Sequence, residues 1–239
     1  MGPLNYNLAM NQLILAINYC RTHFSLLFFG IALPAIAVDL IASFYFMNLG
    51  LDGDMSDSMI IELLQETALS AAIVLLISIF ISTTFSGAII LCYQAIDNTN
   101  PINVLELYLA ALKRFITLLG VSLLQGFIFA FGLLLLILPG FYFLGRLGMT
   151  TSYVMLRGQK TFEALGNAWE SSDVHGVRLF FLCLFFLGIQ LMFGLVGGLI
   201  IQEENIVFII LTTLVKYLTT IPLTYLFYSL YTSLNPASN

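Results

Sequence analysis

The sequence predicts an all-α fold, a polytopic transmembrane helical bundle of about six spans with short interfacial helices, organised as a single membrane domain over residues 1–239. Three observations predict it. Sixty percent of the residues are hydrophobic and only 9% charged, with a mean hydropathy of +1.00, whereas a soluble domain is nearer half apolar and a quarter charged. Apolar runs of about 20 residues, the length that crosses a bilayer as a helix, recur along the chain. The charged residues fall in short clusters between those runs, leaving no stretch for a soluble domain.

The spans follow in order. Ser25–Asn48 is the first. Arg21 and His23 precede it and Ala35-Ile36-Ala37 mimics a signal-peptidase site, but the leader is long and the apolar run continues to Met47. An uncleaved helix is therefore expected, with a cleaved signal peptide as the alternative. Gly2-Pro3 with Tyr6 carries no myristoylation pattern. Thr67–Cys92 is the second span and Phe115–Leu138 the third. Pro139-Gly140 is expected to break the run, because proline cannot extend the hydrogen-bond ladder and glycine permits a tight turn. Phe141–Leu156 makes a short fourth span, Val177–Ile201 the fifth and Ile206–Leu230 the sixth.

Charge bias favours six spans over a rival with one kinked helix across Phe115–Leu156. With six, Arg21, Lys113, Arg114, Arg157, Lys160 and Arg178 all fall on one side. The opposite loops, 49–66 and 202–205, hold Asp52, Asp54, Asp57, Glu62, Glu66, Glu203 and Glu204 and no basic residue. The positive-inside rule then puts both termini in the cytoplasm. Three segments on that side have apolar residues at helical spacing. They are Asn7–Tyr19, Ile102–Leu112, where Asn103 and Glu106 suit a helix start, and Thr161–Glu170. Each precedes a basic residue and a span, which suggests three units of interfacial helix plus hairpin over 7–93, 102–157 and 161–232.

Residues able to carry chemistry are few. Asp39 in span one and Lys216 in span six both lie roughly 13–15 Å from the outer ends at about 1.5 Å per residue, so a salt bridge between the first and last spans is expected. Its role is either packing or a polar site for a headgroup or ion. Pro34 and Pro222 offer breaks in those same spans, as transporters have around midplane sites. Arg146 is expected to snorkel to the outer interface, or else to turn inward onto a phosphate, which its planar fork suits. Gln125 and Gln190 lie mid-span, where interhelical hydrogen bonding is the usual role. Gly194 and Gly198 have G-x-x-x-G spacing for close helix approach. Thr83, Thr84, Ser86 and Gly87 read as a helix contact.

Several chemistries lack support. Asp52-Gly53-Asp54-Met55-Ser56-Asp57 resembles a calcium loop, but Leu63 stands where the bidentate Glu belongs. Cys20, Cys92 and Cys183 form no CxxC pair and no disulfide or zinc framework. His23 and His175 have no nucleophile at a suggestive spacing; His175 with Asp173 is the nearest thing to an acid–base pair. There is no P-loop or HExxH, no catalytic set, and no cofactor motif. Eight scattered Lys and Arg, in a chain of net charge −5, leave no nucleic-acid footprint.

Short motifs add a resemblance. Leu136-Ile137-Leu138-Pro139-Gly140-Phe141-Tyr142, then Arg146, then Glu163-Ala164-Leu165 before Arg178-Leu179-Phe180, resembles a broad bacterial family that includes the membrane domain of some glycerophosphodiester phosphodiesterases. Thr84-Phe85-Ser86-Gly87, Pro139-Gly140, and Tyr225-Leu226-Phe227 with Leu230-Tyr231 resemble the YciC-like inner-membrane proteins more closely. That resemblance implies a multi-pass protein of a Gram-negative inner membrane, linked to lipid or envelope biology. No soluble catalytic domain like that of those phosphodiesterases is expected within these 239 residues.

The expectation is a non-enzymatic protein of envelope and lipid homeostasis, with membrane phospholipids and an envelope protein as partners. The alternative is a small-solute or lipid transporter or channel using Asp39 and Lys216. A membrane lipid enzyme ranks third.

Overall fold

The computed structural model describes residues 3–49, 57–135, 137–200 and 205–236, and every regular element among them is helical. α1 (Pro3–Thr22) leads into a π-helical stretch, Ser25–Ala32, that passes directly into α2 (Leu33–Met47). α3 (Asp57–Asp97), α4 (Val104–Leu112), α5 (Phe115–Leu135) and α6 (Ile137–Leu147) follow, then α7 (Thr150–Arg157) and α8 (Thr161–Ser171). A short turn at Asp173–His175 leads to α9 (Gly176–Ile200) and α10 (Ile206–Leu234). Five segments are long and apolar enough to cross a bilayer: Ser25–Met47, Gln65–Asp97, Phe115–Leu134, Asp173–Gly198 and Ile206–Leu234. The chain is a multi-pass helical membrane protein. Its outer surface agrees, since Leu69, Ile116 and Leu134 are 75%, 77% and 82% exposed and a soluble fold does not leave such apolar area in water.

The fourth expected span is not one helix. Phe141–Leu156 is divided between α6 and α7, with the break at Gly148-Met149. The two pieces together still run back along the whole of α5. Gly132 and Gly140 meet backbone to backbone near one end, Gln125 Nε2 donates to the Leu147 carbonyl midway at 2.7 Å, and Arg114 Nη1 donates to the Gly158 carbonyl at the other end at 3.0 Å. A break inside a membrane is tolerated when neighbours bond the freed backbone groups. Here the Leu147 carbonyl is held by Gln125 and by Thr150 Oγ1, the latter at 2.6 Å. Gly148 gives the Phe227 ring its place, because any Cβ there would overlap that ring.

The prolines also act differently from the expectation. Pro139-Gly140 is not the break after span three; it lies within the first turns of α6, where a missing N–H costs little. Gly140 serves the close approach to Gly132 and not a turn. Pro222 sits inside α10 without breaking it. Ahead of Pro34 the chain stays helical with π geometry, an adjustment that recurs where the ladder is disturbed.

The three short amphipathic segments are helices, α1, α4 and α8, as their spacing predicts. Asn103 caps α4 by accepting from Leu105 N at 3.2 Å, and its side-chain amide donates to the Glu106 carboxylate at 2.9 Å, a side-chain pair that steadies the cap. α7 ends on Gly158 at φ +68°, the left-handed cap that glycine adopts without strain. Contacts gather one end of the bundle. Tyr19 donates to Asp97 at 3.1 Å, Arg157 to Asn235 at 2.6 Å, and Thr161 to the Thr117 carbonyl at 3.1 Å. Arg114, Arg157 and Lys160 belong to this end. Asp52, Asp54, Glu203 and Glu204, and with them the calcium-loop comparison, lie outside the described residues.

Two buried clusters form the core. One gathers Met149, Tyr153, Leu179, Phe186 and Tyr231, the other Ile31, Ile89, Tyr93, Tyr217 and Tyr228. Tyr108, Met155 and Tyr225 pack against both. Within lipid, close packing and polar contacts, more than apolar transfer, hold helices together. Gly87 illustrates this, since a Cβ there would press on Leu118, Ala111 and Met155 at 2.8–3.1 Å, with Thr83 and Thr84 buried beside it. Gly194 behaves otherwise. It meets nothing within 4 Å in this chain, and the close contact is made by Gly197 against Phe208.

Candidate functional site

The expected pairing of the first and last spans is present. Lys216 Nζ lies 2.6 Å from Asp39 Oδ2, and Tyr217 donates its hydroxyl to the same oxygen at 2.8 Å. α10 presents both donors from adjacent positions, with the Lys216 ammonium also 5.4 Å from the Tyr217 ring centre. The pair is only half sequestered, with Asp39 18% and Lys216 51% exposed. Gln190 of α9 joins from behind, its amide donating to Thr219 Oγ1 at 2.6 Å.

Lys216 borders two hollows. One is a cavity of about 340 Å³ between α3, α5, α6, α7, α9 and α10. Gln125, Thr151, Thr220 and Thr224 line it together with Phe85, Leu187 and Phe227. The other is a groove of about 450 Å³ between α2, α3 and α10, walled by Asp39, Ser43, Phe46, Leu75, Ser78 and Thr212 among others. Hydroxyls in both hollows give their hydrogens to their own helices. Ser86 donates to the Thr83 carbonyl at 2.7 Å, Thr224 to Thr220 at 2.7 Å, Ser78 to Val74 at 2.9 Å and Thr212 to Phe208 at 3.0 Å. Their lone pairs are what they offer to the hollows.

Arg146 overturns its expected course to the outer interface. It is 4% exposed and turned to the α8–α9 junction. Nε donates to Ser172 Oγ at 2.8 Å, Nη1 to the Tyr142 hydroxyl at 3.0 Å, and Nη2 to the Trp169 carbonyl at 2.6 Å. Asp173 Oδ1 lies 3.0 Å from Nη1, and the guanidinium sits 4.1 Å over the Trp169 ring. The physical reason is local. Gly145 lets α6 close on the α9 backbone at Leu179 and Phe180, and Gly176 leaves room for the arginine stem. Its short path therefore leads to the α8 C-terminus, where orphan carbonyls accept cations readily. With four partners and a ring, little remains to grip a phosphate. Asp173, the carboxylate beside His175, is engaged by this arginine. Among the described residues no group of three or more His, Cys, Asp and Glu side chains gathers for a metal.

A second polar focus escaped the sequence reading. Tyr19 stacks on Tyr225 at 3.9 Å, Tyr93 packs against Tyr225 and Tyr228, and Asp97 lies beside Tyr19 and Tyr228. Burial and the nearby Asp97 carboxylate push the Tyr19 phenol well up, so it remains a donor. Burial also pushes the Cys20 thiol and the Tyr108 phenol up to about 12. Cys20 is thus unreactive near neutrality, and Tyr108 keeps the hydrogen it donates to the Ile31 carbonyl at 2.6 Å. The only signal in sequence was an excess of tyrosine at helix ends, which periodicity does not resolve.

Neither family models, nor curated proteins, nor solved structures give a match to this chain.

Proposed function

We propose that this protein is a non-enzymatic, multi-pass protein of a bacterial inner membrane that binds membrane phospholipid in the service of envelope and lipid homeostasis, with an envelope protein as a further partner. The observation that carries the reading is the pair of hollows beside Lys216, each walled by apolar side chains and hydroxyls. Such mixed walls fit an amphiphile, whose chain and polar head demand different neighbours. The short motifs that resemble YciC-like proteins support the same region: Phe85 and Ser86 of one, and Phe227 of another, line the cavity. Native mass spectrometry of gently extracted protein tests the proposal. Co-purifying phospholipid that survives gentle activation is the expected result, and a lipid-free spectrum defeats it.

Both termini are placed in the cytoplasm under this reading, supported by the basic residues gathered at the end where α1, α4 and α8 lie. A cysteine at Lys160 in a cysteine-depleted variant is then closed to impermeant reagent added outside the cell. Labelling from outside reverses the orientation.

A second reading, transport, is favoured by one specific arrangement. Lys216 separates the two hollows, and the helix break at Gly148 faces one of them. Under transport, cysteines at Ser43 and Ser86 are reached from opposite sides of the membrane. Under simple binding, water-soluble reagent does not distinguish them by side.

A further inference from the structure

We propose that the groove beside Asp39 and Lys216 is a binding site for a zwitterion that carries an ammonium and an anionic group close together, as in an ethanolamine phospholipid headgroup. This deepens the lipid-binding reading and rests on it. The argument starts from what the ion pair leaves unused. Asp39 Oδ2 accepts from both Lys216 and Tyr217, while Oδ1 takes no hydrogen bond from any described residue. An ammonium carries three donors, and Lys216 commits one to Asp39. A free carboxylate oxygen and free ammonium hydrogens therefore stand side by side at the groove, where Lys216 is half exposed.

Neither charge alone suits a ligand of one sign. A simple anion drawn to Lys216 meets Asp39 at close range, and a simple cation drawn to Asp39 meets Lys216. A zwitterion satisfies both and closes an alternating square of four charges, which discriminates by repulsion as well as attraction. The surroundings complete the fit. The hydroxyls of Ser78 and Thr212 give their hydrogens to Val74 and Phe208, so their lone pairs are turned to accept from a ligand ammonium. Phe46 and Leu75 supply apolar wall for a chain attached to the head. The ion pair need not open, because the ligand takes the unused atoms.

The test uses the full chain in neutral detergent and follows adducts by native mass spectrometry. Titrants are dihexanoyl phosphatidylethanolamine, dihexanoyl phosphatidylglycerol, and the free headgroups glycerophosphoethanolamine and glycerophosphoglycerol. The ethanolamine lipid is expected to bind about tenfold tighter than the glycerol lipid, the scale of one added charge-assisted hydrogen bond. Asp39→Asn is expected to abolish that preference, and Lys216→Met to weaken both lipids. Because each single change exposes an unpaired charge, Asp39→Asn with Lys216→Met together is the folded control, and it is expected to show no headgroup preference. Gln190→Leu, behind the groove, is expected to keep the preference. Equal binding of the two lipids by the unaltered protein overturns the inference and leaves lipid binding standing, as does a preference that persists in the double variant. Absence of any lipid adduct defeats the lipid-binding reading. In that event an ethanolamine preference among the free headgroups supports a soluble zwitterion as the occupant, and its absence ends the inference too.

Discussion

Arg146 and Lys216 are both cations set within apolar helices, yet the bundle treats them in opposite ways. Arg146 is closed off, with Ser172, Tyr142, Trp169 and Asp173 on its guanidinium and an indole beneath it. Lys216 has one carboxylate partner, half its side chain exposed, and hollows on either side. Saturation is what separates them. A charge with four of its five donors bonded, as Arg146 has, can fasten helices but has little left for a ligand, and a charge with spare donors beside empty space is poised to take one. Intramembrane charge alone, the usual pointer to function, does not make this distinction.

The contrast is broken most forcefully at Arg146. Arg146→Leu strands Asp173 and frees the junction of α8 with α9, and removal of one partner of a buried charged network typically costs ~3–5 kcal/mol. Here Asp173 is 77% exposed and regains water, so the lower end, about 3 kcal/mol, is expected in reversible denaturation in mixed micelles. Arg146→Lys is expected to recover little of it, because a point charge cannot serve the forked set of acceptors. A lysine that restores full stability would mark the guanidinium geometry as irrelevant.

Next in size is the break between α6 and α7. Gly148→Ala forces a methyl into the Phe227 ring, and overpacking of this kind costs ~1–3 kcal/mol. The same measurement on Gly194→Ala, where the chain offers open space, is expected to show no loss. Equal losses at the two positions contradict the close packing described for Gly148.

The ion pair follows. Asp39→Asn or Lys216→Met alone is expected to cost about 1–2 kcal/mol, between the values for exposed and buried pairs, because Lys216 is half exposed. The double change is expected to recover much of this in a double-mutant cycle. Simple addition of the two losses shows that the residues are not energetic partners. The smallest effect belongs to Gln190→Leu, which removes its bond to Thr219. Interhelical bonds in membranes average about 0.6 kcal/mol, so a loss above the Arg146 value inverts the ranking proposed here.

Much of the architecture was readable before any coordinates. Hydropathy located five long apolar helices but drew Phe141–Leu156 as a single span, where the chain divides between α6 and α7; helical spacing located α1, α4 and α8, because amphipathic pattern and bilayer thickness are properties of sequence and length. The Asn103–Glu106 cap was readable because its partners are three residues apart. Depth counting matched Asp39 with Lys216 because both sit on regular helices with a fixed rise. The site beyond that pair was less legible. The tyrosine cluster at Asp97 draws on α1, α3 and α10, and no local pattern links residues so far apart. The hollows are spaces between helices, and spaces have no residues of their own.

The sequence by itself determined that the chain is a multi-pass helical membrane protein, because a chain this apolar and this poor in charge has no other solvent to fold in. It also determined that the first and last long helices each carry a charge at matched depth. Only the tertiary structure decided where the helices break and which charges are saturated. Pro222 lies in an unbroken helix while Gly148 ends one, since a break survives where neighbours such as Gln125 and Thr150 bond the freed carbonyl. Arg146 turns to the α8–α9 junction and Lys216 to the hollows for the same reason. A side chain's partners are set by which helices approach it, and that is a property of packing that no single segment of sequence contains.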